Sequence, residues 1–460
     1  MPWKLLAVSL ALLAGPAQAA RNVILVIGDG MDDQQVTIAR NYLEGSRGRL
    51  GLDAMAVRSA VQVLSVDERG SPVYVADSAN SATAMATGRV TSRGRISTEA
   101  GSNAILPTIL QRAQATGMRT GLVTTSSVTD ATPAAFASHM SMRTCEDPQA
   151  INGTERYGIV TPACPAFLKA NGGPGSISEQ LAASGVDVIL GGGLKHFEQP
   201  VEGGDGDVLD SARTAGFRVI TSADELANAP GEGRILGLFA PSHLPVKLQG
   251  ESGRGAEAPL PSWANYLHRY LGSVQQPEPM RCVPNPGFDN TPRLADLTRT
   301  ALQRLHNERG FFLMVESASI DKQSHERKPC GSIGEVQQLD AAVAVALEYA
   351  ATNPDTLVIV TADHGHAAQL VPAESLFNAF GIPIYSPGKI ARLETNEGVL
   401  LAVNYATNNF PYEEHTGVNV PLYANRVALG RVPPMVTQPE VFDIMSKFLF
   451  EADQAEETKP

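Results

Sequence analysis

The 460-residue chain is acidic, with 48 Asp and Glu against 36 Lys and Arg, a net charge of −12 and a pI near 5.3. That balance argues against nucleic acid as a partner. An anionic ligand would have to meet local positive charge, supplied by metal ions or a few basic side chains.

Met1 to Ala19 reads as a secretory signal rather than as part of the fold. A short positive start, Met1-Pro2-Trp3-Lys4, leads into the apolar run Leu5–Leu13. Ala17-Gln18-Ala19 then offers small residues for cleavage after Ala19. The run is too short to span a bilayer, and no later segment has the apolar length of a membrane helix. A periplasmic or secreted product is therefore expected, with residues 20–460 as a single catalytic domain.

Asn22–Ile27 is a continuous apolar, β-branched run, the mark of a strand buried on both faces in a parallel sheet. Similar runs follow at Ala60–Val66, Thr120–Thr124, Val186–Leu190, Arg234–Phe239, Phe311–Val315 and Thr356–Val360. Helical patterns lie between several of them, at Ile105–Thr116, Arg293–Asn307, Ile333–Ala350 and Pro439–Phe450. This alternation predicts an α/β fold, a three-layer α/β/α sandwich around a largely parallel central sheet. Ligands bind such sheets beyond the carboxyl ends of the strands. Two irregular stretches, 191–206 and 240–292, read as surface excursions of the same domain. The first is rich in glycine and acid, the second in proline and glycine.

Four cysteines, Cys145, Cys164, Cys282 and Cys330, suit disulfides in an exported protein and show no metal-type spacing. Three pairings are possible, and the sequence-local one joins Cys145 to Cys164 and Cys282 to Cys330.

Acids and histidines cluster just after the expected strands. Asp29 follows the first, and Glu316 follows Phe311–Val315 with Asp321 and His325 beyond it. Asp363, His364 and His366 follow Thr356–Val360, and His415 stands near the C-terminus. Asp321 and His325 are four apart, so one helical face can present both to one metal ion. Carboxylate and imidazole suit zinc, whereas carboxylate, hydroxyl and water suit magnesium. Ser78 opens a helix of small residues. It can serve as an N-cap or as a nucleophile. No G-x-S-x-G elbow surrounds it, so a metal would have to activate it.

Six segments then occur in the order found in alkaline phosphatases: Gly28-Asp29-Gly30-Met31, Asp77-Ser78-Ala79, Asp130-Ala131-Thr132-Pro133, Glu316 through His325, Thr361 through His366, and His415-Thr416-Gly417. The chain resembles that family from about Asn22 to beyond His415. The resemblance implies hydrolysis of phosphate monoesters through a phosphoserine at Ser78, with two zinc ions and one magnesium ion. It assigns Asp321, His325 and His415 to the first zinc, and Asp29, Asp363 and His364 to the second, beside Ser78. Asp29, Thr132 and Glu316 fall to magnesium, and Arg143 to the phosphate. Asp130 and Lys322 match the subgroup typified by the periplasmic bacterial enzyme, as supporting groups around magnesium and phosphate. The four cysteines fall where that enzyme has its two disulfides, which favours the sequence-local pairing.

His366 is read as supporting the metal site rather than binding directly, and Asp77 as orienting Arg143. Asp32, where the family often has glycine, is placed in solvent, as is the Glu413-Glu414 pair. His139, His196, His243, His268 and His306 are read as ordinary surface or core residues. The resemblance also implies a homodimer, with a smaller interface because the first strand follows at once on the cleavage site. Broad tolerance of the leaving group and an alkaline optimum are expected. A phosphodiesterase of the same superfamily is the alternative. Asp77-Ser78-Ala79, Arg143, Thr132 and Glu316 argue for the monoesterase.

Overall fold

Long apolar runs can satisfy their backbone only by pairing, and here they pair with one another. The computed structural model describes residues 21–451 apart from 157, 158, 269, 375 and 383–386. The leader expected over Met1–Ala19 lies outside the described residues.

Ten strands form the main sheet. In chain order they are β1 (Arg21–Gly28), β2 (Val57–Gln62), β3 (Arg119–Ser127), β4 (Val188–Gly192), β5 (Phe217–Ile220), β6 (Arg234–Leu238), β7 (Gly310–Ser317), β8 (Thr356–Ala362), β9 (Val420–Ala424) and β10 (Met435–Thr437). Their spatial order is β10-β2-β9-β8-β1-β7-β3-β4-β6-β5. Only β9 runs against its neighbours, pairing antiparallel with β8 and β2. In the parallel centre, Gly28 of β1 stands opposite Ser317 of β7 and Ala362 of β8. Those three strands therefore end at one level.

Helices cover the sheet in two groups. Asp33–Glu44, Leu294–Leu305 and Pro329–Thr352 pack together on one face. Ser78–Thr87, Ala131–Ala137 and Gln438–Phe450 pack together on the other. The α/β/α sandwich is thus the observed architecture. The central strands Val23–Ile27, Phe311–Val315 and Leu357–Val360 are completely buried between the layers. Core burial at about 25 cal/mol per Å² of apolar surface is the main force holding this arrangement.

Several boundaries differ from expectation. The helix expected over Ile105–Thr116 runs only from Ile109 to Ala115. Pro107 precedes its capping residue Thr108, whose hydroxyl accepts from the Gln111 N–H. The run Ala60–Val66 splits into β2 and a two-residue strand, Ser65–Val66, that pairs with Pro72–Val73. The 191–206 stretch begins inside β4 and holds a short helix, Leu194–Phe197. Within 240–292, two small hairpins pair Leu248–Gly250 with Cys282–Pro284 and Leu260–Pro261 with Val274–Gln275.

The cysteines pair as Cys145–Cys164 and Cys282–Cys330. The second bond ties the excursion to the first turn of the Pro329–Thr352 helix. It closes a separation of 48 residues, against 19 for the first. The chain-entropy argument gives about 4 kcal/mol for the longer loop and about 3 kcal/mol for the shorter. Urea unfolding of the two double Cys→Ala variants should therefore show the larger loss of stability for Cys282/Cys330. An equal or reversed order would mean that native-state strain, rather than loop closure, sets the difference.

Candidate active site

The order β8-β1-β7-β3 gathers four chain segments at one sheet edge. Asp29 leaves the end of β1. Glu316 is the second-last residue of β7, and the Ser319–His325 helix that follows carries Asp321, Lys322 and His325. Asp363, His364 and His366 leave β8. Beyond β3, Asp130 caps the Ala131–Ala137 helix, which carries Thr132. Gly30 turns the chain with φ +68°, and a Cβ there would meet Asp321 Cα at 3.2 Å, so only glycine fits.

Two groups of ligand-type side chains converge within these segments: Asp321, His325, His366 and His415; and Asp29, Asp363 and His364. Their hydrogen bonds fix which atoms face inward. His325 Nδ1 donates to the Glu413 carbonyl and His415 Nδ1 to the Ala76 carbonyl. The atom that each ring turns inward is therefore Nε2. Those two nitrogens lie 3.1 Å apart, and His415 Nε2 is 3.2 Å from Asp321 Oδ1. His364 Nδ1 faces the Gly365 carbonyl, leaving Nε2 at 3.3 Å from Asp29 Oδ1 and 3.5 Å from Asp363 Oδ2. Acceptors thus face acceptors. Asp321 Oδ1, Asp363 Oδ2 and Thr132 Oγ1 are buried with no hydrogen-bond partner among the described residues. Such groups cost free energy unless a cation joins them, and the donor set fits zinc.

His366 is different. Its Nδ1 accepts the Ala367 N–H, so Nε2 carries the hydrogen; it lies 3.1 Å from Asp321 Oδ1 without forming a hydrogen bond to it. The ring therefore presents an N–H rather than a lone pair to the cluster.

The electrostatics agree. Burial, with Asp321 and Asp363 nearby, holds the Asp29 carboxyl well above its ordinary range. Burial also pushes Asp363 up to about 6 and Glu316 up to about 7. Asp321 is buried too, yet the surrounding histidines hold it well below the usual carboxylate range. Burial keeps His364 neutral by lowering its pKa far below the ordinary value. Without a cation, this cluster resists carrying its full negative charge.

Ser78 is the first residue of the Ser78–Thr87 helix and is buried. Its Oγ lies 3.2 Å from His364 Nε2 and 3.4 Å from Asp29 Oδ1. The capping task falls to Asp77, which accepts from Asn80 N and from Gly94 N with both oxygens. The Ser78 hydroxyl is therefore left to the ligand cluster. Arg143 reaches the same space. Its Nη2 donates to Asp130 Oδ1 at 2.8 Å, and Nη1 lies 3.5 Å from Asp77 Oδ2. Lys322 Nζ is 2.7 Å from Asp130 Oδ2. Asp130 is partly buried, which works against ionisation, yet Lys322 and Arg143 hold its carboxyl well below the ordinary range. Glu316 accepts from Thr124 and Ser126, and Thr132 also borders it.

Two expectations are corrected here. Asp32 is buried, not in solvent. It caps the Asp33–Glu44 helix by accepting from Gln34 N and Gln35 N, and its other oxygen accepts the His366 N–H. It thereby ties the first helix to the loop after β8. Glu413 is also buried, paired with Arg327 at 2.6 Å, while Glu414 is exposed. Arg327 donates further to the Pro411 and Phe410 carbonyls. This pair sets the loop whose Glu413 carbonyl orients His325. The sequence reading gave Arg327 no role. Its only signal was a basic residue two positions beyond the Ser319–His325 helix.

A serine hydroxyl set against two convergent ligand clusters, at the carboxyl edge of a parallel sheet, defines a metal-dependent hydrolase of the α/β class. The chain belongs to the alkaline phosphatase family, whose sequence profile matches residues 20–419. It is 42% identical over 452 residues to streptomycin-6-phosphate phosphatase of Streptomyces griseus, covering 95% of this chain and 92% of that protein. It is 37% identical over 440 residues to alkaline phosphatase of Escherichia coli K12, covering 94% and 86%. Among solved structures, the fold is similar to alkaline phosphatase from the Antarctic bacterium TAB5, with TM-score 0.67, 20% identity and coverage of 94% and 99%. The Thermus thermophilus alkaline phosphatase gives TM-score 0.63 at 21% identity, covering 96% of each chain. The chain is a phosphatase.

The Arg327–Glu413 pair generates a test. Glu413→Ala would leave a buried guanidinium without its carboxylate, at a cost of about 3–5 kcal/mol. Thermal unfolding should show that loss. A change within experimental error would mean that the two remaining bonds, to the Pro411 and Phe410 carbonyls, hold Arg327 unaided.

Proposed function

We propose that this chain hydrolyses phosphate monoesters to alcohol and inorganic phosphate through a phosphoserine at Ser78. The observation that carries the reading is the placement of the Ser78 hydroxyl. It sits at a helix N-terminus, against the His364 lone pair and Asp29, with the Arg143 fork facing the same space.

Asp321, His325 and His415 would hold one zinc ion. Asp29, Asp363 and His364 would hold a second, adjoining Ser78. Asp29, Thr132 and Glu316 would take magnesium, with Asp130 and Lys322 in support. When bound, such ions lower the pKa of coordinated oxygen acids and offset charge on the transferring phosphoryl group. The chain's own residues do the rest. Ser78 Oγ bonds to phosphorus as the alcohol oxygen departs in line, and water then cleaves the phosphoserine. Two inversions give retention at phosphorus. Arg143 grips two phosphoryl oxygens with its planar fork, which lysine cannot imitate. Asp130, held ionised, and Asp77 aim that fork. The N-terminal N–H groups of the Ser78–Thr87 helix add positive potential where the phosphoryl charge collects. His366 holds Asp321 in position. The leader at Met1–Ala19 and the two disulfides support a periplasmic or secreted enzyme, and a homodimer is the assembly expected of it.

The test is steady-state hydrolysis of p-nitrophenyl phosphate beside bis-p-nitrophenyl phosphate. The wild type should prefer the monoester. Ser78→Ala should lose at least about 10³-fold in turnover, as nucleophile removal does elsewhere, while keeping its bound metal by elemental analysis. Near-normal turnover would remove Ser78 from the mechanism, and preference for the diester would move the chain to a different reaction. Arg143→Ala should raise the inhibition constant for inorganic phosphate by at least about tenfold, the worth of a charge-assisted contact. An unchanged constant would mean that Arg143 does not touch phosphate.

A further inference from the structure

A cavity of about 610 Å³ opens directly beside the candidate metal cluster, with Lys322 and His325 in its wall. Ligand pockets run to about 300–1,000 Å³, so it can take a whole ring system. Its floor belongs to the 240–292 excursion, whose first residues are tied to the end of β3. Leu244 N donates to the Thr125 carbonyl, and Ser127 N donates to His243 Nδ1. Asn285 closes the loop by donating to the Val246 carbonyl. The cavity is therefore built by strand-anchored backbone.

Its chemistry is of two kinds. Leu244, Pro245 and Val246 form an apolar side. The remaining lining brings the Tyr412 ring, the Gln323 amide and His243, whose Nδ1 is already an acceptor, so that Nε2 carries a hydrogen. The charges at the rim are compensated: Lys322 pairs with Asp130, and Glu326 with Lys328. An apolar face, one aromatic ring and uncharged hydrogen-bonding groups match a neutral ring that has a C–H face and a hydroxyl rim. A charged or purely aliphatic group would leave half of this lining unused.

We propose that this cavity is a leaving-group subsite for sugar-type phosphate esters, in which the polyhydroxylated ring seats between Leu244–Val246 and Tyr412. The inference rests on the phosphomonoesterase reading, since His325 belongs to the cluster that would face the departing oxygen. It replaces the expectation of an indifferent leaving-group side with selection by this pocket.

The test uses the metal-loaded full chain, glucose 6-phosphate and ethyl phosphate. The wild type should show kcat/KM at least about tenfold higher for the sugar ester, the scale on which pocket contacts discriminate. Val246→Trp, which fills the cavity, should lose that preference and leave ethyl phosphate hydrolysis unchanged. Tyr412→Ala should reduce the preference by removing the ring. Saturation-transfer NMR with free glucose gives a readout apart from turnover: the ring C–H signals should be saturated by wild type and not by Val246→Trp. Equal kcat/KM for the two esters, or a preference that survives Val246→Trp, would overturn the subsite while leaving the phosphatase reading in place. Failure of wild type to hydrolyse either ester would strike that reading, and the subsite with it.

Discussion

Lone pairs that face one another organise this molecule's working end. Seven ligand-type side chains from three adjacent strand ends and one distal loop converge on two centres. Their outward hydrogen bonds are spent on backbone carbonyls and N–H groups, as at Ala76, Gly365, Glu413 and Gly30. What remains inside is, His366 apart, acceptor against acceptor, buried, which is unfavourable by itself. The sheet behind it must hold these groups together against that repulsion. It does so with completely buried strands in strict parallel register, Gly28 opposite both Ser317 and Ala362. The site is thus strained by charge rather than by backbone, and a bound cation relieves it.

Positive charge in the site is organised through one carboxylate. Asp130 receives Arg143 on one oxygen and Lys322 on the other. Asp130 thereby fixes where both cations stand and keeps each of them paired. Asp77 contributes in a different manner. By taking the capping bonds of the helix it frees the Ser78 hydroxyl, so that one residue resolves the conflict between cap and nucleophile.

Much of this was legible in the sequence, for identifiable reasons. Continuous apolar strands such as Asn22–Ile27 carry a strong signal because both faces are buried. Strand β9, Val420–Ala424, was missed because Pro421 interrupts a short run and it is the one antiparallel member. The acids and histidines that converge were visible because most of them stand at or just beyond the end of a strand; His415, on a distal loop, was picked out by the resemblance. Asp32 and Glu413 were misplaced for the opposite reason. Their burial depends on partners far along the chain, His366 for one and Arg327 for the other, and neither spacing nor periodicity encodes that meeting. Local sequence showed which atoms could bind; it did not show which carboxylates were needed to hold the loops that carry them.

The same contrast separates the two functional regions. Most of the clustered acids and histidines stand on segments that leave β8, β1 and β7, whose shared parallel register brings those strand ends to one level. The cavity beside them is walled largely by an excursion that adds no strand to the main sheet and meets the site through a few anchored contacts at Ser127, Thr125 and Asn285. Changes in the excursion can therefore reshape the leaving-group side without disturbing register or ligand geometry. Chemistry is fixed by the part of the fold with the least freedom, and selectivity is placed where the chain can vary at the lowest structural cost.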